Sequence, residues 1–188
     1  MSQISANQDP DVGAAVRAAR EQRGWSGSEL AAASGVSRAM IDRIERGASS
    51  PTAALLGKLA AALGLTVSGL LSRPSAPGTG MLRDSDRASW TDPGTGYRRR
   101  QVAAAPTFPV DVTEVHLPPG ARVTYPAATY VFSRHLIWVT DGVLTFHVGR
   151  TVHRLEAGDR LILGEPVECT YENTGDGTCS YVVVVAPA

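Results

Sequence analysis

Hydrophobic and polar positions along the chain follow two different periods. From Val12 to Leu71 apolar residues recur at helical spacing, whereas from Val110 to Val185 they fall in short alternating runs separated by turn residues. The first stretch predicts helices and the second predicts strands.

The first helix is expected over Val12–Arg23, with Val12, Val16 and Ala19 on one stripe and Gly24 as its C-terminal stop. Ser26 then opens a second helix, and Glu29 three residues on completes a capping box in which each side chain satisfies an unpaired backbone N–H. Leu30, Ala31 and Ser34 face inward. Gly35 breaks the helix, since glycine accepts positive φ at little cost. Val36 fills the angle, Ser37 caps a third helix with Met40, Ile41 and Ile44 on its apolar face, and Gly47 ends it. Ser50 and Pro51 are expected to open a fourth helix, with proline in its first turn. Leu55, Leu56, Leu59, Ala60 and Leu63 pack along it until Gly64, and Val67–Leu71 forms a short fifth. Residues 1–11 are polar and expected to be a disordered tail.

Two short helices joined by a glycine-containing turn make a helix-turn-helix unit. Arg38 and Arg43 project from the solvent face of its second helix, and arginine can bond guanine O6 and N7 in bidentate fashion. The helix starts at Ser26 and Ser37 offer N–H groups to phosphates.

Residues 73–86, RPSAPGTGMLRDSD, read as an extended, flexible linker. In SWTDPGTGYRRR an Asp-Pro-Gly turn lies between Trp90 and Tyr97, which predicts a hairpin. The basic run Arg98–Arg100 has two readings, an extra phosphate contact or anion-binding edge on the one hand and a charged edge strand that discourages aggregation on the other, and the second is preferred. Strands are expected at Val110–Leu117, Ala121–Tyr125, Tyr130–Thr140, Gly142–Val148, Thr151–Leu155, Arg160–Leu163, Glu168–Asn173 and Ser180–Val185, with no helix among them. Turn signals every 8–12 residues are the pattern of a sandwich or barrel.

Charge sharpens this division. The net charge is zero, yet residues 12–100 carry 13 Lys/Arg against 7 Asp/Glu, and residues 101–188 carry 5 against 9. The basic half suits a polyanion partner and the acidic half does not. The chain has 188 residues, 43% hydrophobic and 19% charged, enough for two small soluble domains. No apolar run approaches the roughly 18 residues of a membrane span, and the N-terminus lacks a secretory pattern. Cys169 and Cys179 make no disulfide scaffold, so a cytoplasmic protein with reduced thiols is expected.

Residues 12–72 resemble the XRE-type, lambda-repressor-like helix-turn-helix domain. The resemblance rests on Arg17 and Arg20, the Trp25–Ser26 start, SELAAASGVSRAMIDRIERG and SSPTAALLGKLAAALGL. It implies that Arg38, Ala39 and Arg43 face base edges while Ser37, Met40 and Arg46 lie near the DNA backbone. It also implies a structural ion pair between Arg20 and Glu45. Many relatives carry Gln directly after the second helix's cap as a DNA contact, and here that position is Gly27.

The second half, residues 87–188, resembles a cupin, a β-barrel of jelly-roll type, through LPPGARV, IWVTDGVLTFHVG, RLEAGDRLIL and YENTGDG. Cupin enzymes hold a divalent metal through His-x-His and Glu in one motif and His in the other. Aligned on Asp141-Gly142, the Glu position is His135 and the His-x-His positions fall near Ala128–Val131, which hold no histidine. Aligned on Asn173, the second-motif position is Cys169. No metal and no cofactor are therefore expected. A metal-free pocket is expected instead, lined by Tyr125, Val131, Ser133, His135, Ile137, Cys169 and Tyr171, with a filled barrel as the alternative. Alternation along the strand puts Val131, Ser133, His135, Ile137 and Val139 on one face and Tyr130, Phe132, Leu136 and Trp138 on the other, both apolar enough to be buried.

The fold class is thus two-domain α + β, a five-helix bundle followed by an all-β cupin. The expected function is a dimeric, sequence-specific regulator that binds a palindromic operator in double-stranded DNA, with the cupin half for dimerisation and small-molecule sensing. The alternatives are a cupin metalloenzyme of epoxidase or dioxygenase type and an antitoxin-like protein-binding module.

Overall fold

The computed structural model describes residues 11–71, 81, 83–84, 87–103 and 108–187. The linker expected at 73–86 lies largely outside the described residues. So does the expected tail, except for Asp11, whose carboxylate caps the first helix by accepting from the Ala14 amide at 2.9 Å.

The helices are α1 (Val12–Gln22), α2 (Gly27–Ser34), α3 (Arg38–Glu45), α4 (Ala53–Ala62) and α5 (Val67–Leu71). The capping box at α2 forms in full: Ser26 Oγ accepts from the Glu29 amide and Glu29 Oε2 accepts from the Ser26 amide. Gly35 adopts φ 67°, which turns the chain toward α3 without a steric penalty. Val16, Leu30, Ile41, Ile44, Leu56 and Leu59 are buried at the centre of the bundle. Full burial of such side chains stabilises by roughly 1.5–3 kcal/mol each. α1 crosses α3 at Gly13, where a Cβ would run into the Ile44 carbonyl. The start of α4 differs from expectation. Thr52 is its N-cap, accepting from the Leu55 amide, so Pro51 precedes the helix rather than occupying its first turn.

Among the described residues ten strands follow: β1 (Ser89–Thr91), β2 (Arg98–Ala103), β3 (Asp111–Leu117), β4 (Arg122–Tyr125), β5 (Ser133–Asp141), β6 (Val143–Val148), β7 (Thr151–Glu156), β8 (Arg160–Ile162), β9 (Cys169–Glu172) and β10 (Cys179–Pro187). They form two antiparallel sheets, ordered β1-β2-β3-β10-β5-β8 and β4-β9-β6-β7. Their inner faces share a core that includes Val115, Ile137, Val139 and Tyr181 from one sheet and Leu144, Phe146 and Tyr171 from the other. Tyr171 stacks on Tyr181 across the two sheets at 5.5 Å.

Two expectations about this half are corrected. Ala127–Tyr130 forms a 3₁₀ turn, so β5 starts at Ser133 and the alternation expected from Tyr130 does not apply before it. Tyr130 is buried while Val131 and Phe132 are exposed. The basic run is not an edge strand. β2 lies between β1 and β3, pairing Trp90 with Arg99 and Arg99 with Val115. Arg98 donates to Ser89 Oγ, Arg100 to Asp84, and Arg99 points inward.

The helical head packs directly on the sheets. α4 lies against β4 and the 3₁₀ turn, close enough that a Cβ on Gly57 would sit 2.6 Å from the Tyr125 ring. The Ala53 amide donates to Asp92, Thr66 Oγ1 donates to Asp111, and Ser68 Oγ lies 2.8 Å from Thr113 Oγ1.

Candidate nucleic-acid interface and the adjoining cavity

The candidate DNA-reading surface is built on α3. Ser37 Oγ accepts from the Met40 amide and fixes the helix start. Ile41 and Ile44 anchor one face in the core, which turns Ser37, Arg38, Ala39, Arg43 and Arg46 toward solvent. Met40 is half-buried against the bundle. Arg20, buried against the head, holds the far end of α3: its Nε and Nη2 donate to the two Glu45 carboxylate oxygens at 2.7 and 2.9 Å, and Nη1 donates to the Trp25 carbonyl. This is the structural pair that the family resemblance implied.

The two arginines of the reading face differ. Arg38 Nη1 donates to Ser28 Oγ at 2.6 Å, and its Nε lies 3.6 Å from Asp42. Its guanidinium lies over Gly27, 3.8 Å from where a Cβ would stand. A longer residue at position 27 would contend for that space, so the departure at Gly27 makes room for Arg38. Arg43 and Arg46 form no ion pair among the described residues and face water. Ser26 is occupied by its capping box, which leaves the amides of Gly27 and Ser28 at the α2 start for an anion.

A cavity opens where the head meets the sheets. Tyr125, His135 and Tyr171 line it. The other expected residues lie elsewhere. Val131 is exposed on the turn, Ile137 is fully buried in the core, and Ser133 sits behind His135, bonded to its Nε2 at 2.8 Å. Cys169 is buried beside Tyr130, off the cavity wall. The remaining lining includes Thr66, Ser68, Tyr97, Arg99, Thr129 and Tyr130. Sequence reasoning missed these because Ser68 lies on α5, with Thr66 just before it, and others lie on a hairpin read as surface. The inward signal was the aromatic Trp90/Tyr97 bracket around the turn.

Burial pushes the Cys169 thiol up to about 11, which keeps it protonated and unreactive at neutral pH. Desolvation, with Arg99 nearby, pushes His135 down to about 4, so its imidazole is neutral. The described residues present no cluster of three His, Cys, Asp or Glu side chains. This donor set does not fit a divalent metal, because His135 is the one imidazole on the cavity wall, Cys169 lies off it, and the Arg99 guanidinium in the same cavity opposes a second cation. His147 and His116 are engaged elsewhere, with Glu172 and Ser180.

Residues 16–70 match the family model described as helix-turn-helix, HTH_3. The HTH-type transcriptional regulator SutR of Escherichia coli (strain K12) is 31% identical over 168 residues, covering 86% of each chain. The chain belongs to the XRE family of helix-turn-helix transcriptional regulators. An uncharacterized HTH-type regulator of Mycobacterium tuberculosis, Rv0023, is 39% identical over 114 residues, which is 50% of this chain and 44% of that one. An HTH_3 family transcriptional regulator from Vibrio cholerae shares the fold across 98% of both chains, with a TM-score of 0.75 at 21% identity. The XRE regulator described here therefore joins a helix-turn-helix head to a C-terminal domain of two antiparallel sheets. No helix among the described residues is long and apolar enough to cross a membrane.

Proposed function

We propose that this XRE regulator is a cytoplasmic, sequence-specific, homodimeric regulator that reads a palindromic operator through α3. The supporting observation is the outward placement of Arg38 and Arg43 on a short helix clamped at both ends, by Ser37 at its start and Arg20–Glu45 at its close. A rigid helix presenting two arginines fits the major groove, where each bidentate arginine–guanine pair discriminates by ~1–3 kcal/mol. Ala39 contacts base edges beside them. Ser26, Ser37, Met40 and Arg46 sit at the phosphates.

The cupin half supplies dimerisation and senses a small effector. The outer face of the larger sheet carries Trp138, 48% exposed, and Ile162, 73% exposed, with Phe132 at its end, 67% exposed. Leu136 pairs with Ile162 and Val184, and Trp138 pairs with Val182, so these side chains share one face, with Arg160 beside Trp138. Exposed apolar patches rimmed by polar residues are characteristic of protein interfaces. A dimer through this face would present two heads to half-sites roughly 34 Å apart. The enzyme alternative loses support from the donor set at His135 and Cys169.

Selection from a random duplex pool tests the reading. An inverted repeat with half-site centres about one helical turn apart is the expected outcome. A pool that enriches no common sequence would count against it.

A further inference from the structure

Arg99 is the one described basic residue that points into the interior between the head and the sheets, and it is only 8% exposed. Its Nη1 donates to Tyr97 OH at 2.8 Å, and its Nη2 donates to Ser68 Oγ at 2.8 Å and Thr113 Oγ1 at 3.5 Å. All three acceptors are neutral hydroxyls. These bonds use three of the five guanidinium donors. Among the described residues no Asp or Glu forms an ion pair with it. A buried, unneutralised guanidinium is costly, and such charges are ordinarily paired.

The same cavity holds further unused polar capacity. Thr129 Oγ1 and Tyr130 OH are buried without a hydrogen-bond partner of good geometry, although Tyr130 lies beside Tyr171 and Cys169. Buried groups left unsatisfied call for a missing partner. The cavity is small and open at one end. That suits a ligand of a few heavy atoms. Val183 and Val185 add an apolar wall.

We infer that this cavity is a binding site for a small monocarboxylate, held by Arg99, Thr129 and Tyr130 and seated between α5 and the sheets. The inference rests on the reading of the cupin half as a sensor and names its ligand class. The charge is set by the wall: Arg99 supplies one positive charge, and His135 is neutral at physiological pH. One guanidinium matches one carboxylate in fork geometry, whereas a dianion would leave a charge buried. The valines accommodate a short alkyl tail. Because Ser68 belongs to α5 and bonds Arg99, the ligand would touch the head and the sheets together. Its occupancy would then bear on how the head is held.

The test uses the full chain without DNA, so it stands whether or not an operator is bound. Propionate, propionamide and sulfate are titrated at matched ionic strength, with thermal shift and calorimetry as readouts. Saturable stabilisation by propionate is expected, with none from propionamide and at least tenfold weaker binding of sulfate. Arg99→Gln should weaken propionate at least tenfold. Thr129→Val, which keeps the guanidinium, should weaken it at least threefold and carries the test if the first variant does not fold. No saturable response to propionate, equal binding of sulfate, or unchanged affinity in both folded variants would overturn the inference.

Discussion

Asp92, in the turn after β1, accepts a hydrogen bond from the Ala53 amide at the first turn of α4, at 3.1 Å and within a buried contact. Its other oxygen accepts from the Gly94 amide at 2.7 Å and holds its own turn. One carboxylate therefore caps a helix of the head and a hairpin of the β half. It also complements the positive end of the α4 dipole.

Asp92→Ala leaves the Ala53 amide buried and unpaired, which should cost about 1–3 kcal/mol. Urea unfolding is expected to show the loss, together with earlier unfolding of the helical head. Retention of wild-type stability would mean that the contact does not couple the two halves.

His135 makes stability depend on pH. Its folded value of about 4 lies below the 6.5 of a free imidazole, so the unfolded chain binds the extra proton between these values. Stability rises with pH in this window. The contribution is complete above pH 6.5 and is lost progressively as pH falls toward 4, by up to ~3 kcal/mol. His135→Asn should flatten this part of the pH–stability curve. A wild-type slope in the variant would place the titration elsewhere.

Much of the helical head was legible in the sequence because its signals are local. The capping box at Ser26 and Glu29, the glycine at 35 and the stripe of Ile41 and Ile44 each determine their own turn of chain. The strands were legible for the same reason, from alternation between turns. What stayed hidden depends on contacts between distant residues. Arg98–Arg100 read as surface because a charged run ordinarily is, yet β3 covers one side of β2 and α5 lies over Arg99. The cavity could be placed only in part, since Ser68 and Arg99 are 31 residues apart. Val131 was assigned inward by extending an alternation through a 3₁₀ turn that breaks it.

The apolar patch on the larger sheet predicts a dimer that a charge would split. Ile162→Asp or Ile162→Lys adds a charge to a surface that the proposed dimer would bury. Light scattering after size exclusion should show a dimer for the wild type and a monomer for either variant, with unchanged far-ultraviolet circular dichroism. A variant that remains dimeric would move the interface elsewhere.

On the reading helix, Arg43 is free to engage a base, whereas Arg38 is already bonded to Ser28 and near Asp42. Arg43→Ala should cost about 1–3 kcal/mol on the specific site and leave random DNA binding nearly unchanged. Arg38→Ala should cost less, because the arginine gives up contacts within the head when it turns to DNA. Losses under a few tenths of a kcal/mol at both positions would remove α3 from the reading role.

The most direct measurement is fluorescence anisotropy of the full chain on its own upstream DNA and on random DNA, at low and physiological salt. The account predicts tighter binding to the upstream fragment, with affinity falling steeply as salt rises because bound arginines release counterions. Equal affinity for both DNAs at both salt concentrations would contradict it.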